Sequence, residues 1–335
     1  MHVVPLNADT QRRLVESWHS LQVATDLELE PQVPPAPLDE AFASALSDDL
    51  LARQGWLAVD GDTAIGCALL ALPLLDNPHL GLLDVRVDIG RRREGVATEL
   101  IRLAAQAAKR AGRRTILVEA LDATAGDATC AALGGHSALG STSSTLWLAR
   151  LDRTLVDRWI EQRLERAAGY SLVRWIGACP EELLKPFAQL REAMDTAPKG
   201  DLDFTVEWSP KSIRAAEEAH VRCHRRNLVL CARDDATGDL VALTDVLAPA
   251  GRRTLAFQED TVVRPEHRNR GLGRWVKAEM LRWLAEEEPQ VEQIVTWNAT
   301  ENAAMRGINT ELGFVPGDTW AEWQFSVDAL LERVG

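Results

Sequence analysis

Apolar and polar positions along the second half of the chain change period in a fixed order, which predicts strands alternating with helices. Tyr170–Ile176 alternates with period two, as a half-buried strand does, and residues 180–194 carry apolar side chains at helical spacing. Residues 210–223 read as a second helix behind a Ser209 cap. Two β-rich runs, 228–232 and 240–246, flank the turn-forming segment Asp234-Asp235-Ala236-Thr237-Gly238-Asp239, which predicts a hairpin. Leu255–Val263 is a further strand. Directly after it, residues 268–273 open a helix running to about residue 287, with Leu272, Val276, Leu281 and Leu284 facing inward. A strand over 290–297, a short helix over 302–311 and a final strand over 320–327 complete the series.

The first half repeats this order from Gly55 onward. Residues 56–59 and 65–72 predict the hairpin, Leu80–Val87 the central strand, 96–111 the helix and Thr115–Leu121 the next strand. Before that, Pro31, Pro34, Pro35 and Pro37 break any helix and imply a loop. The motif R-x-x-G-x-(G/A) occurs at residues 92–97 and again at 268–273, 176 positions on. At the same ungapped offset Asp84 faces Asp260, Leu121-Asp122-Ala123-Thr124 faces Trp297-Asn298-Ala299-Thr300, and Trp147 faces Trp323. Four matches in one register suggest a duplicated domain, with the connection near residues 150–152.

The length agrees, since 335 residues exceed what one hydrophobic core usually organises. Apolar residues are 46% and charged residues 26%, the balance of a soluble globular protein. The longest charge-free apolar stretch, residues 63–75, contains Pro73 and is too short to span a membrane. The N-terminus MHVVPLNADTQRR lacks a basic head followed by an apolar run, so a cytoplasmic location is expected. Five scattered cysteines without a C-x-x-C pair favour buried reduced thiols over a disulfide framework or a zinc cluster. The net charge of -13 is shared by both halves: 13 basic against 19 acidic residues over 1–150, and 24 against 31 over the remainder. Such a field disfavours nucleic acid and anionic membrane as partners and suits a cationic or neutral small molecule.

Candidate chemistry begins at the glycine loop. A strand ending in Val263-Arg264-Pro265, followed by Arg268-Asn269-Arg270-Gly271-Leu272-Gly273 and a helix, points backbone N–H groups at one place and lets a pyrophosphate approach without side-chain obstruction. The spacing matches neither the dinucleotide G-x-G-x-x-G nor the P-loop. At these residues the chain resembles the GNAT superfamily of N-acyltransferases. The likeness extends through residues 259–268 and through Asn302-Ala303-Ala304-Met305 and Leu312-Gly313-Phe314.

The resemblance implies two tandem α/β (α+β) domains, each a mixed, mostly antiparallel central sheet flanked by helices. It implies an N-terminal copy over residues 1–151, degenerate because its later motif has shrunk to Leu133-Gly134-Gly135-His136, and a catalytic C-terminal copy over 152–335. The arrangement is similar to that of two-domain, actinobacterial-type members with a mycothiol-synthase-like architecture. Acetyl-CoA is implied as co-substrate, with no metal. Thr261, Val262 and Val263 would pair with the pantetheine arm, Arg268, Asn269, Arg270, Gly271, Leu272, Gly273 and Arg274 would cradle the pyrophosphate, and Asn298 and Asn302 would bind the cofactor arm. Lys277 is either a phosphate contact or part of a solvated helix face. One departure matters: five residues before Phe314, where the family often has a tyrosine that protonates the departing thiolate, this chain has Asn309. Tyr170 is the one tyrosine present. A thiol with a pKa near 8.5 is a tolerable leaving group near neutral pH, so the departure weakens the acid assignment more than the reaction class.

Acyl transfer to an amine needs a base, and the central strand offers Glu259 and Asp260. Alternation puts them on opposite faces unless a bulge intervenes, and the repetition of Asp260 as Asp84 hints at a structural role, so Glu259 ranks first. His220 and His224, four residues apart, have metal-binding spacing but no third ligand in view, and an exposed helix end is expected instead. Trp297, Trp320 and Trp323 could wall a pocket for an apolar or cationic substrate. The leading expectation is an N-acetyltransferase acting on a small amine. A non-catalytic acyl-CoA sensor or scaffold and a protein-lysine acetyltransferase are the alternatives. Nothing in the sequence bears on oligomeric state.

Overall fold

The computed structural model describes residues 1–162 and 167–335, which form two compact units. Unit 1 comprises Met1–Ser141, Lys199–Thr205 and Thr319–Gly335; unit 2 comprises Thr142–Pro198 and Val206–Asp318. The strands in chain order are β1 His2–Leu6, β2 Leu51–Asp60, β3 Thr63–Pro73, β4 Leu80–Val87, β5 Thr115–Leu121, β6 His136–Trp147, β7 Tyr170–Ile176, β8 Arg225–Asp234, β9 Leu240–Pro249, β10 Leu255–Val263, β11 Gln293–Ala299 and β12 Val315–Ser326.

In unit 1 the strands lie in the order β1-β2-β3-β4-β5-β12, and β4 with β5 is the parallel pair among otherwise antiparallel ones. Unit 2 runs β7-β8-β9-β10-β11 and then the second half of β6, and here β10 with β11 is parallel. The sheets are therefore mixed and mostly antiparallel, as expected. The closing strand of each differs from the expectation of contiguous domains divided near residue 151. Unit 1 is closed by the C-terminal strand, Trp320 opposite Leu121 through Ser326 opposite Thr115, and unit 2 begins at Thr142. Alternating hydrophobicity tells a strand which face to bury, not which sheet edge to join, so the exchange leaves no trace in the pattern.

Helices cover both faces of each sheet. In unit 1, Val96, Leu100, Ala104 and Ala108 form one stripe of the helix Val96–Arg110 and pack with Val327, Leu330 and Val334 of the C-terminal helix. On the opposite face Trp18 and Leu21, from the helix Arg12–Leu29, meet Leu57 and Cys67. The proline-rich stretch is indeed a loop, ending where a second helix, Leu38–Ala45, begins after Pro37. In unit 2 the helix Leu272–Glu287 lays Trp275, Val276, Met280 and Leu284 on Leu228, Val241 and Ala256. The helices Glu181–Arg191 and Pro210–Arg222 cover the other face, with Leu184, Phe187 and Ile213 against Val229, Cys231 and Leu243. All five cysteines are buried free thiols, and burial pushes Cys67 up to about 12.

The duplication is visible in the backbone, but the ungapped offset does not survive the first long helix. Through the loop it holds: Arg93 and Asn269 have φ of 67° and 63°, and Gly95 and Gly271 of 83° and 80°. Beyond it, Leu80 and Leu255, which open β4 and β10, pair with Thr115 and Gln293, so the offset has become 178 (115 to 293). The second helix has 16 residues against 15, and its connection to the next strand is longer, 288–292 against 111–114. The facing of Leu121-Asp122-Ala123-Thr124 with residues 297–300, and of Trp147 with Trp323, is thus sequence coincidence and not structural equivalence.

Candidate functional site

Strand β10 delivers the chain into a 3-10 turn, Pro265–His267, and then the loop. Arg268 reaches back to the Val263 carbonyl at 3.0 Å and across to Thr196 Oγ1 at 2.6 Å. Arg270 donates to the Tyr170 hydroxyl at 2.7 Å. Gly271 takes the left-handed conformation that only glycine adopts without strain, and forms the N-cap of Leu272–Glu287 with no side chain capping it. The first N–H groups of this helix therefore have no internal partner, and with the positive end of the helix dipole they fit an anion such as a diphosphate. A methyl group at Gly273 would meet only Val263 and Ile308, both at 3.7 Å, so the protein's own packing does not demand glycine there.

Beside the loop the sheet opens. β10 pairs with β11 only from Leu255 to Phe257, opposite Gln293 to Val295, with one further link from Thr296 Oγ1 to the Gln258 carbonyl at 3.0 Å. Thr261, Val262 and Val263 pair with β9 on their other side, leaving their edge toward β11 without a ladder among the described residues. An extended amide-bearing arm could add to that edge.

The two carboxylates lie on the wall of this opening, and the strand is not regular there. Gln258 pairs with Val246 and Thr261 with Thr244, so Glu259 and Asp260 together oppose Asp245 in a β-bulge. The bulge switches the alternation: Ala256 and Val263, an odd number of residues apart, pack into one core cluster, while Val262 joins the other. The simple assignment of the carboxylates to opposite faces is corrected accordingly. Glu259 is exposed to solvent yet closely surrounded by protein, and that crowding, with the carboxylates of Asp245 and Asp260, raises its pKa to about 7. Arg225 and Arg191 pull the other way. Asp260 instead accepts from Arg191, whose guanidinium also bonds the buried Asp245 and lies over the rings of Phe187 and Trp208, each 4.9 Å away. Burial raises the Asp260 carboxyl against the pull of Arg191. Asp245 Oδ1 is buried with no hydrogen-bond partner among the described residues.

Asn309 is buried and donates to Asn298 Oδ1 at 2.7 Å, while its own Oδ1 has no partner among the described residues. The side chain of Asn302 caps the helix Ala303–Leu312, accepting from the Met305 N–H at 3.2 Å. Arg274 is paired with Glu311 at 2.7 Å. Lys277 is neither a phosphate contact nor on a solvated face: it is 2% exposed, sits 5.7 Å from the Phe314 ring, and burial lowers its pKa to about 7. His220 and His224 do not share a helix face, because Pro210–Arg222 ends before His224, which has φ of 52°. Burial and Arg225 push His220 down to about 4. Among the described residues no cluster of three His, Cys, Asp or Glu is placed to hold a metal. Nor is any helix among them long and apolar enough to cross a membrane. Trp297 stacks obliquely on Phe257 at 6.0 Å, whereas Trp320 and Trp323 belong to unit 1, where Trp323 donates to Asp127.

Sequence reasoning missed Arg191 and the buried pairing of Asp245 with it. A signal for Asp245 was present, the one charged residue in β9, which is buried along its whole length. The corresponding region of unit 1 is built differently. β4 pairs with β3 without a bulge, Asp84 is held by Arg86 at 3.0 Å, and Arg92 is clamped by both oxygens of Glu28.

Residues 17–129 and 192–314 match the model of the acetyltransferase (GNAT) family. The whole chain is similar to a tandem GNAT protein from the clavulanic acid biosynthesis pathway, solved without acetyl-CoA, with 29% identity, a TM-score of 0.80, and coverage of 97% of this chain and 98% of that one. A GCN5-related N-acetyltransferase from Sphaerobacter thermophilus shares the fold at 13% identity and TM-score 0.67, covering 97% and 96%. A putative acetyltransferase from Pyrococcus horikoshii does so at 13% identity and TM-score 0.57, covering 97% and 89%. No curated protein matches the sequence.

Proposed function

Since the chain belongs to the GNAT acetyltransferase family as a tandem member, we propose that it transfers an acetyl group from acetyl-CoA to the amine of a small molecule, with the chemistry in unit 2 and Glu259 as general base. The observation that carries this reading is the bulge, which sets a solvent-reaching carboxylate of pKa about 7 where β10 and β11 part, next to an uncapped helix N-terminus. Acetyl-CoA supplies the activated acetyl group as its thioester. Residues 268–274 hold the diphosphate, the free edge of 261–263 aligns the pantetheine arm, and Glu259 accepts the proton that the attacking amine must lose. A base near pKa 7 is half ionised at neutral pH, where it is both available and still basic.

Two features support a cationic acceptor. Three carboxylates, Asp245, Glu259 and Asp260, gather around Arg191, and the second half of the chain is acidic overall. In unit 1 the β4 strand pairs with β3 without the bulge, which supports a non-catalytic role for it. The test is a transfer screen over small amines with acetyl-CoA, reading thiol release. CoA binding without turnover on any amine would favour the second reading, an acyl-CoA sensor. Asn309 is the specific observation on its side, since it leaves no acid at the position of the family tyrosine.

A further inference from the structure

The chain's one tyrosine lies outside the acetyl-transfer machinery described so far, yet its hydroxyl is committed to the phosphate-binding loop. Tyr170 stands on β7 with 7% of its surface exposed. Its oxygen is 2.7 Å from Arg270 Nη1 and 2.9 Å from His267 Nδ1, and the imidazole meets the phenol ring edge-on, with centroids 5.8 Å apart. A guanidinium can only donate, so the phenol oxygen accepts from Arg270, while the tautomer of His267 sets which partner donates in the second bond. One hydroxyl thereby ties together two positions of the loop.

The residues between them explain why a tie is needed. Asn269 has φ of 63°, a conformation a side chain rarely adopts, and it persists only where the surroundings over-determine it. On its N-terminal side Arg268 is anchored to Val263 and Thr196; on its C-terminal side Arg270 is anchored to Tyr170. Unit 1 holds the same backbone by other means. The residues 176 positions earlier than His267 and Arg270 are Arg91 and Glu94, which pair directly at 2.9 Å, and Arg91 also reaches Asp60 at 3.0 Å. The same two loop positions are bridged twice in one chain with different chemistry. The version in unit 1 puts a carboxylate on the loop, whereas the version in unit 2 keeps it cationic.

We propose that Tyr170 is a positioning residue for diphosphate binding: it fixes Arg270 and His267 so that the 268–271 backbone stands ready for the diphosphate before the ligand arrives. This rests on the reading that the loop holds the diphosphate of CoA.

The experiment compares CoA with pantetheine, which lacks the diphosphate and nucleotide, on the full chain and its Tyr170→Phe and Arg270→Ala variants, by calorimetry and competition. Tyr170→Phe keeps the buried ring and removes only the hydroxyl. The expected result is a loss of CoA affinity of roughly 10- to 100-fold, the scale of one hydrogen bond to a charged group, with pantetheine affinity unchanged within twofold. The double variant should be no weaker than the worse single variant. Unchanged CoA affinity, or an equal loss for CoA and pantetheine, overturns the proposal. If Tyr170→Phe fails to fold, His267→Ala, which removes the hydroxyl's other partner and lies outside residues 268–274, decides by the same comparison. A native chain that binds no CoA sinks the functional reading itself, a different outcome from native binding that Tyr170→Phe leaves intact.

Discussion

Arg191 donates to Asp260 from the end of the helix Glu181–Arg191 and bonds Asp245 with its other terminal nitrogen, so one buried guanidinium holds the carboxylates on both sides of the bulge. Removing it strands two carboxylates, one of them only 3% exposed. Arg191→Met should therefore destabilise the protein by about 3–5 kcal/mol, the usual cost of breaking a buried pair by deleting one partner. Urea unfolding checks this, and a loss under 1 kcal/mol would mean that the pair is weakly coupled to folding.

With Asp260 occupied by Arg191, the proposed base is Glu259. Glu259→Gln should lower kcat by roughly 10²-fold or more with CoA affinity nearly intact. Asp260→Asn is the paired comparison, and Asp84→Asn in unit 1 should leave kcat within about twofold. Impairment confined to Asp260→Asn would reverse the ranking of the two carboxylates.

The raised pKa of Glu259 sets the direction of the pH profile. A base works in its ionised form, so kcat/KM should climb as pH rises through about 7 and level off above it. That limb should vanish from the residual activity of Glu259→Gln. A limb that persists in the variant belongs to another group.

At Gly271 a side chain meets two penalties, the backbone conformation at φ of 80° and the space the diphosphate needs. Gly271→Val should abolish CoA binding in calorimetry. Native affinity in a folded variant would remove the loop from the binding site.

The gathered carboxylates predict electrostatic capture of the acceptor. For the best amine, kcat/KM should fall as ionic strength rises, while CoA binding, held by backbone donors, responds less. A best acceptor that is neutral or anionic, or that is indifferent to salt, would leave the acidity as ordinary solvated surface.

Much of this was legible without coordinates. The strand, loop and helix order around residues 255–287 came from hydrophobic period and glycine placement, both local properties of the chain. The duplicated loop was legible for the same reason, since left-handed residues at 93, 95, 269 and 271 follow from short-range sequence. Beyond the long helix the alignment slipped by two residues, because a helix and a connection each one residue longer are absorbed without changing either pattern.

The sequence alone determined the kinds of elements, their order and the residue types at the loop, because these depend on contacts between near neighbours. Only the tertiary structure decided that β12 closes unit 1, that a bulge redirects Glu259 and Asp260, that Arg191 reaches both Asp245 and Asp260, and that Lys277 is buried beside Phe314. Each of these joins residues tens to hundreds of positions apart. Periodicity says that a residue is turned inward, but the partner it meets there is set by which distant elements share the same core.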